Sequence, residues 1–577
     1  MPIVPWEIQS FVMPILNLWT DPTNPYAVPI SVLPEGGIYD VNTYRMTSLN
    51  FRGTVGYNHI FNNIHIINIF AGLESNEVKR NSNWSRDWGR EYSFGDIGKF
   101  DPDMFDKMSQ EGSGYYKISN GLERTTAFFS NATYSYKGRY IVNGTLRYEG
   151  TNTLGSARKS RWLPTWNISG AWNAHEEKWF KQFGTWFSHF TLKGSYSLTA
   201  DRGPFDISNS LPIVNSYVAW RPISSDQETA LKISELGNSD LTYEKKYELS
   251  ITADMGFFNN RINLEMSRYE RRNFDLIGPI TVQGVGGEIN KYGNIANMKS
   301  NGFELSLNTK NIRFKDFEWN TTFLYSHQHN EVTNLENTAR VIDLVRSNGF
   351  ALQGYPVRSI FSIPFNKLTK EGIPTFKVAN GAITTDGINF QEYADLSWLK
   401  YEGSSDPTDY GSFENVFKYK GFRLSVFLVY SYGNVVRLDP IFSNTYNDMV
   451  ATPREFNNRW SSSGEEDKTT VPVIPSVRQN FLNPNLAIAY NAYNYSTERI
   501  AKGDFVRMKE IAFDYTFPKT WLSSFGVNNV NLKFQATNLF LIYADKKLNG
   551  NDPEFFNTGG VASPMPRQFT FTIRLGF

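Results

Sequence analysis

The chain closes on Gln568-Phe-Thr-Phe-Thr-Ile-Arg-Leu-Gly-Phe577. Phe569, Phe571, Ile573, Leu575 and Phe577 fall on one side of an extended ribbon; Thr570, Thr572, Arg574 and Gly576 fall on the other. Successive side chains of a strand point to opposite faces, so this stretch is a strand with one apolar and one wet face. The same alternation recurs upstream. Tyr247, Leu249, Ile251, Ala253 and Met255 oppose Glu248, Ser250, Thr252 and Asp254; Phe303, Leu305 and Leu307 oppose Glu304, Ser306 and Asn308. Val530, Leu532, Phe534 and Ala536 oppose Asn531, Lys533, Gln535 and Thr537. The polar faces carry acids, amides and lysine, so water covers them, not a second packed sheet.

About fifteen such segments are legible: 44–60, 64–79, 122–136, 139–149, 162–174, 187–200, 243–258, 261–272, 301–312, 317–330, 411–419, 421–432, 504–517, 527–540 and 566–577. Short turns join them in pairs, at Asn62-Asn63, Lys137-Gly138, Asn259-Asn260 and Lys420-Gly421, residue types that tolerate tight-turn angles. Between the pairs lie long connections: 80–121, 201–242, 273–300, 331–410, 433–503 and 541–565. Several long, structureless loops are rare in a soluble domain. They are the rule in outer-membrane barrels, with short periplasmic turns and long outer loops. The segments also reach the roughly 9–11 residues that a tilted membrane strand needs. The expected fold is all-β, a transmembrane antiparallel up-and-down β-barrel; a soluble multi-domain β protein is the rival.

Composition agrees. The 577 residues include 44 Phe, 31 Tyr and 14 Trp, while the mean hydropathy is only −0.42. With 58 Lys+Arg against 57 Asp+Glu, no basic excess argues for a nucleic-acid partner. The absence of Cys excludes disulfides and thiol chemistry. No run of 18 apolar residues predicts a spanning helix. Residues 1–43 carry no Lys or Arg and hold Pro2, Pro5, Pro14, Pro22, Pro25, Pro29 and Pro34, so they read as a Pro-rich outer loop, not an export signal.

Several stretches resemble one family. Ala536-Thr-Asn-Leu-Phe540, Gly550-Asn-Asp-Pro-Glu554 and Pro566 to Phe577 look like the C-terminus of SusC/RagA-type TonB-linked outer-membrane transporters. Gly503-Asp-Phe-Val-Arg-Met-Lys-Glu-Ile-Ala-Phe-Asp-Tyr-Thr-Phe-Pro518 and Gly411-Ser-Phe-Glu-Asn-Val-Phe-Lys-Tyr-Lys-Gly-Phe422 resemble its later strand–turn units. Gly256-Phe-Phe-Asn-Asn-Arg261, Asn294-Ile295 with Asn301-Gly-Phe-Glu304, and Arg139-Tyr140 to Arg147 follow in the same order. The resemblance implies a plugged barrel of about 22 strands, with residues 44–577 as its C-terminal part. It also implies a signal peptide, a TonB-binding segment and a plug, none of which is visible. Fifteen strands would leave two unpaired edges, so either the protein is longer or 44–60 pairs with 566–577 in a smaller barrel.

The implied function is TonB-driven import of an oligosaccharide or peptide, with a SusD-like surface lipoprotein, the TonB complex, the barrel-assembly machinery and outer-membrane lipid as partners. A siderophore or vitamin receptor, a non-transporting surface barrel and an inactive truncated product are the alternatives. Trp84, Trp88, Trp162, Trp166 and Trp220 are the candidate substrate contacts, since indole faces stack on sugars or side chains; loop packing or an interface girdle is the plainer reading. Phe569, Phe571, Ile573, Leu575 and Phe577 are read as the barrel-assembly signal. His327 and His329 share one strand face but lack a third ligand at a recognisable spacing. Asp101 to Asp106 and Asn549 to Glu554 lack a complete calcium ligand set. No metal, cofactor or catalytic motif is expected.

Overall fold

The computed structural model of the protein describes residues 18–19, 24, 26–28, 30–31, 37–90, 115–155, 157–203, 212–219, 221, 228–281, 290–442, 453–522, 526–556 and 565–576. Most of the Pro-rich stretch 1–43 and the acidic loop 101–106 therefore lie outside the described residues. Fifteen strands form one antiparallel sheet. They are β1 (Gly37–Phe61), β2 (His65–Arg90), β3 (Tyr116–Tyr136), β4 (Tyr140–Thr151) and β5 (Trp162–Asn173). Then come β6 (Phe187–Asp201), β7 (Glu244–Phe257), β8 (Ile262–Thr281), β9 (Asn290–Phe314) and β10 (Phe317–Leu335). The last are β11 (Asp409–Tyr419), β12 (Phe422–Tyr432), β13 (Phe505–Thr516), β14 (Asn529–Ala544) and β15 (Gln568–Gly576).

Order along the sheet is order along the chain, so every connection is an up-and-down hairpin. β1 and β15 stand at opposite ends. Among the described residues the two do not pair with each other, so the smaller closed barrel is not formed by them. The short turns use left-handed backbone at Asn62, Asn63, Lys137, Gly138, Asn259, Asn260, Lys420 and Gly421, as their residue types predict.

Strand ends differ from the sequence reading. β1 starts at Gly37 instead of 44, and β2 continues to Arg90. Above the membrane water wets both faces, so Asn81 to Arg86 show no apolar alternation although they are paired throughout. The connection 273–300 is mostly strand. A bulge between Asn273 and Leu276, with Asp275 in left-handed backbone, breaks the alternation, and pairing resumes to Thr281 opposite Asn290.

The connections 331–410 and 433–503 are not structureless. Together they bury Val341, Leu344, Phe361, Ile363, Phe376, Leu486, Ala489 and Tyr493 in one core on the outer side of the sheet. Ile363 bridges Ser496 across the two connections.

The outward face is apolar. Phe51, Val55, Phe128, Ile168, Ile251, Phe534, Phe569, Phe571, Ile573 and Leu575 are all exposed large apolar side chains. Aromatic pairs border this belt. On the periplasmic side Trp172 meets Phe190, Phe187 meets Phe257, Trp319 meets Phe417 and Phe422 meets Tyr515. On the outer side Tyr148 stacks on Trp162 and Tyr247 on Phe274, while Trp166 meets Tyr196 edge to face. An apolar belt between two aromatic girdles is the signature of a membrane barrel wall. No helix among the described residues is long and apolar enough to cross a membrane.

Candidate functional site: the inner wall and its outer roof

The register turns one polar residue of every strand pair inward. Near the outer end of β2–β4 the inward side chains form an ion chain. Arg147 binds Glu74 at 2.6 Å and Glu149 at 2.5 Å; Arg80 binds Glu123 at 3.0 Å; Arg202, just past β6, joins Glu123 and reaches Glu149 at 3.8 Å. Further round, Glu265, Ser267, Glu304, Ser306, Tyr410 and Ser412 line a recess of about 320 Å³ in the inner wall. This is a wet, hydrogen-bonding surface suited to a polar solute.

The outer unit forms a roof held by buried polar side chains. Arg437 is almost fully buried and donates to the Phe361 carbonyl (2.7 Å), the Ser362 hydroxyl (2.9 Å) and the Ser496 carbonyl (3.2 Å). Burial pushes its guanidinium down to about 10, with nearby Glu402 opposing that fall, so it stays charged at neutral pH. Asn494 accepts from the backbone N–H groups of Ile441 and Phe442 and donates to the Phe442 carbonyl. Around it, Phe390, Phe442, Ile488, Tyr490 and Asn491 line a cleft of about 360 Å³.

The last outer connection is clamped to the wall. Arg507, pointing inward from β13, binds Asp552 at 2.5 Å and Glu554 at 3.3 Å, with Arg507 and Asp552 both buried. Asn549 donates to Glu455, which also holds Arg499. Of the two stretches considered for calcium, Asn549 to Glu554 supplies Asn549, Asp552 and Glu554 to this clamp, which also packs Leu548 and Phe556 against Val436 and Leu438.

The tryptophans separate. Trp84 lies on the inward face of β2, opposite Asn42 and Lys117, with the Arg86 guanidinium 5.5 Å from its ring centre. Arg86 is itself fixed on Asp40 by two hydrogen bonds. Trp162 and Trp166 point outward, in register with Ile168 and the outer girdle. This is the face opposite the ion chain, and it fits the interface-girdle reading of these two residues better than substrate contact. The side chain of Trp88, all of Trp220, and Phe577 lie outside the described residues. Phe569, Phe571, Ile573 and Leu575 all face outward on β15.

His327 also faces outward, hydrogen-bonded to Asp409 at 2.9 Å, and Glu331 is paired with Lys299. Among the described residues no group of three or more His, Asp or Glu could hold a metal. Sequence reasoning missed Arg437 and the pairing of Arg507 with Asp552. Their only local signal is charge inside otherwise apolar or turn-rich stretches, and their partners lie 45 to 76 residues away.

A meander with a wet inner wall, an apolar outer belt and a folded roof defines an outer-membrane β-barrel of the receptor class. The chain belongs to the family described as TonB dependent receptor-like, beta-barrel, whose model matches residues 16–360. A TonB-dependent receptor of Formosa agariphila is 26% identical over 91% of this chain and 51% of its own length. The TonB-dependent receptor SusC of Bacteroides thetaiotaomicron is 26% identical over 78% of this chain and 43% of its own length. The chain spans about half the length of the curated relatives it matches. Among solved structures, that of the RagAB peptide transporter superposes with a TM-score of 0.76 at 20% identity, covering 94% of this chain and 56% of the other.

Proposed function

We propose that this chain forms the inner wall and outer roof of an importer that captures an oligosaccharide or peptide beneath a SusD-like surface lipoprotein, with the TonB complex supplying energy. The observation that carries this reading is the folded roof above a wet inner wall: a rigid outer unit with its own core can present a polar solute to the lumen. The matched RagAB structure is that of a peptide transporter, and the oligosaccharide class is what the SusC-type resemblance of the sequence implies. Further strands close the barrel between β15 and β1, because unpaired edge groups cost several kcal/mol each in lipid; a plug then fills the lumen. β15 serves as the signal read by the barrel-assembly machinery. No catalytic step is assigned.

The test is uptake of labelled oligosaccharides and peptides by cells carrying the full gene, with and without TonB. One class should enter only with TonB. Trp84→Ala should weaken binding by roughly threefold to tenfold, the loss of one aromatic face, and Trp166→Ala should leave it unchanged. Residues 1–577 expressed alone should support no TonB-dependent uptake. Uptake of both classes without TonB would end the proposal.

A further inference from the structure

On the lipid-facing side of β1–β3, directly beyond the outer limit of the apolar belt, the register lines up three cations and one acid on successive rungs. Arg124 pairs across the sheet with Glu77, which pairs with Leu49; Leu122 pairs with Lys79, which pairs with Thr47; Arg45 lies opposite Asn81. All share the face of Phe51, Leu73 and Phe128, the last apolar rungs below them. Glu77 binds Lys79 at 2.8 Å and Arg124 at 2.7 Å, and both cations remain more than half exposed. Arg45 is exposed and has no ion pair among the described residues. The neighbouring acids Glu74 and Glu123 turn to the opposite face, into the inner-wall ion chain.

The patch therefore carries two positive charges in excess. Its height is set by the strand: Arg124 stands four residues beyond Phe128, roughly 10 Å above the belt for a tilted strand. That is the headgroup layer of the outer leaflet. Leu49 and Leu122, both exposed, interleave with the cations and continue the belt into this layer. A soluble anion has no use for those leucines, and a neutral lipid has none for the charge.

We propose that Arg45, Lys79 and Arg124 form a binding site for the phosphate groups of an anionic glycolipid headgroup in the outer leaflet. Glu77 orients two of the cations and tempers their charge. The site is distinct from the inner wall and roof, since it lies on the other face of the same strands.

The experiment titrates lipid into the protein made from its full gene, in mild detergent, read by native mass spectrometry. The probes are phosphorylated lipid A, the same lipid enzymatically dephosphorylated, and inorganic phosphate. The phosphorylated lipid should bind about tenfold tighter than its dephosphorylated form, each cation adding to the attraction. Inorganic phosphate at the same concentration should not compete. The Arg45→Gln/Lys79→Gln/Arg124→Gln variant should lose the preference, and Glu77→Gln should raise it by roughly threefold. The heat-dependent gel shift of a folded barrel confirms each variant before titration; if the triple variant does not fold, Arg45→Gln alone should still lower the preference and Glu77→Gln still raise it. Equal binding of the two lipids, competition by inorganic phosphate, or an unchanged preference in the folded variants would overturn the assignment.

Discussion

Asp552 and Arg507 show how much one residue can hold in this protein. Each is buried, and each is the other's principal neutralising partner. Removing one side of such a pair leaves an uncompensated charge, at a cost of roughly 3–5 kcal/mol, whereas replacing both with apolar residues is often neutral. Asp552→Ala should release the clamp, so that the backbone at the already exposed Lys546 and Lys547 can unfold into trypsin on intact cells and be cut. Arg507→Met with Asp552→Leu should restore most of the protection. Asp343 makes a pH-dependent contact in the roof. Its burial would raise its pKa, but the Arg340 guanidinium and backbone N–H hold it below the ordinary 3.8. A lowered folded pKa means that the contact stabilises fully above 3.8 and is lost as pH falls through the lower folded value. Hydrogen-exchange protection of residues 340–345 should therefore be flat from pH 8 to 5 and fall only below about 3.8.

At the scale of elements, strand ends carry more of the argument than strand middles. β15 displays Phe569, Phe571, Ile573 and Leu575 to lipid, while Thr570 and Thr572 face the lumen. A charge on the lipid face of a membrane strand costs roughly 2–4 kcal/mol near the midplane for a cation, and somewhat less for an acid. Phe571→Asp should lower the fraction of folded, heat-shifted barrel in the membrane, while Thr572→Asp, on the wet face, should not. The girdle follows the same rule: Gly150 leaves room for the Trp162 indole, which a Cβ there would strike. The indole settles over Tyr148 at the interface, and the outward row stays continuous across β3–β7.

For the whole molecule, division of labour follows the two faces of one sheet. The outward face is apolar and meets lipid. The inward face is lined by ion pairs and hydroxyls, a polar surface. The roof belongs to neither face. It is built from two connections far apart in sequence and held by Arg437 and Asn494, so the outer unit can present a defined surface instead of a set of separate loops. Among the described residues β1 and β15 end the sheet without pairing with each other.

Alternation by itself determined the fold class, the fifteen strands, the tight turns and the outward row of the last strand, because a period of two depends only on neighbouring residues and the solvents on either side. It faded where water touched both faces, as in Asn81 to Arg86, and at the bulge around Asp275. Which tryptophans lie on the inward face and which on the outward face was decided by cross-strand register. Trp84 and Trp166 read alike as letters, and only pairing with Lys117 and with Leu198 sets them on opposite faces. The roof core, the Arg437 staple and the Arg507–Asp552 clamp were decided by tertiary structure alone, since each joins residues dozens of positions apart whose local sequence favours no regular element.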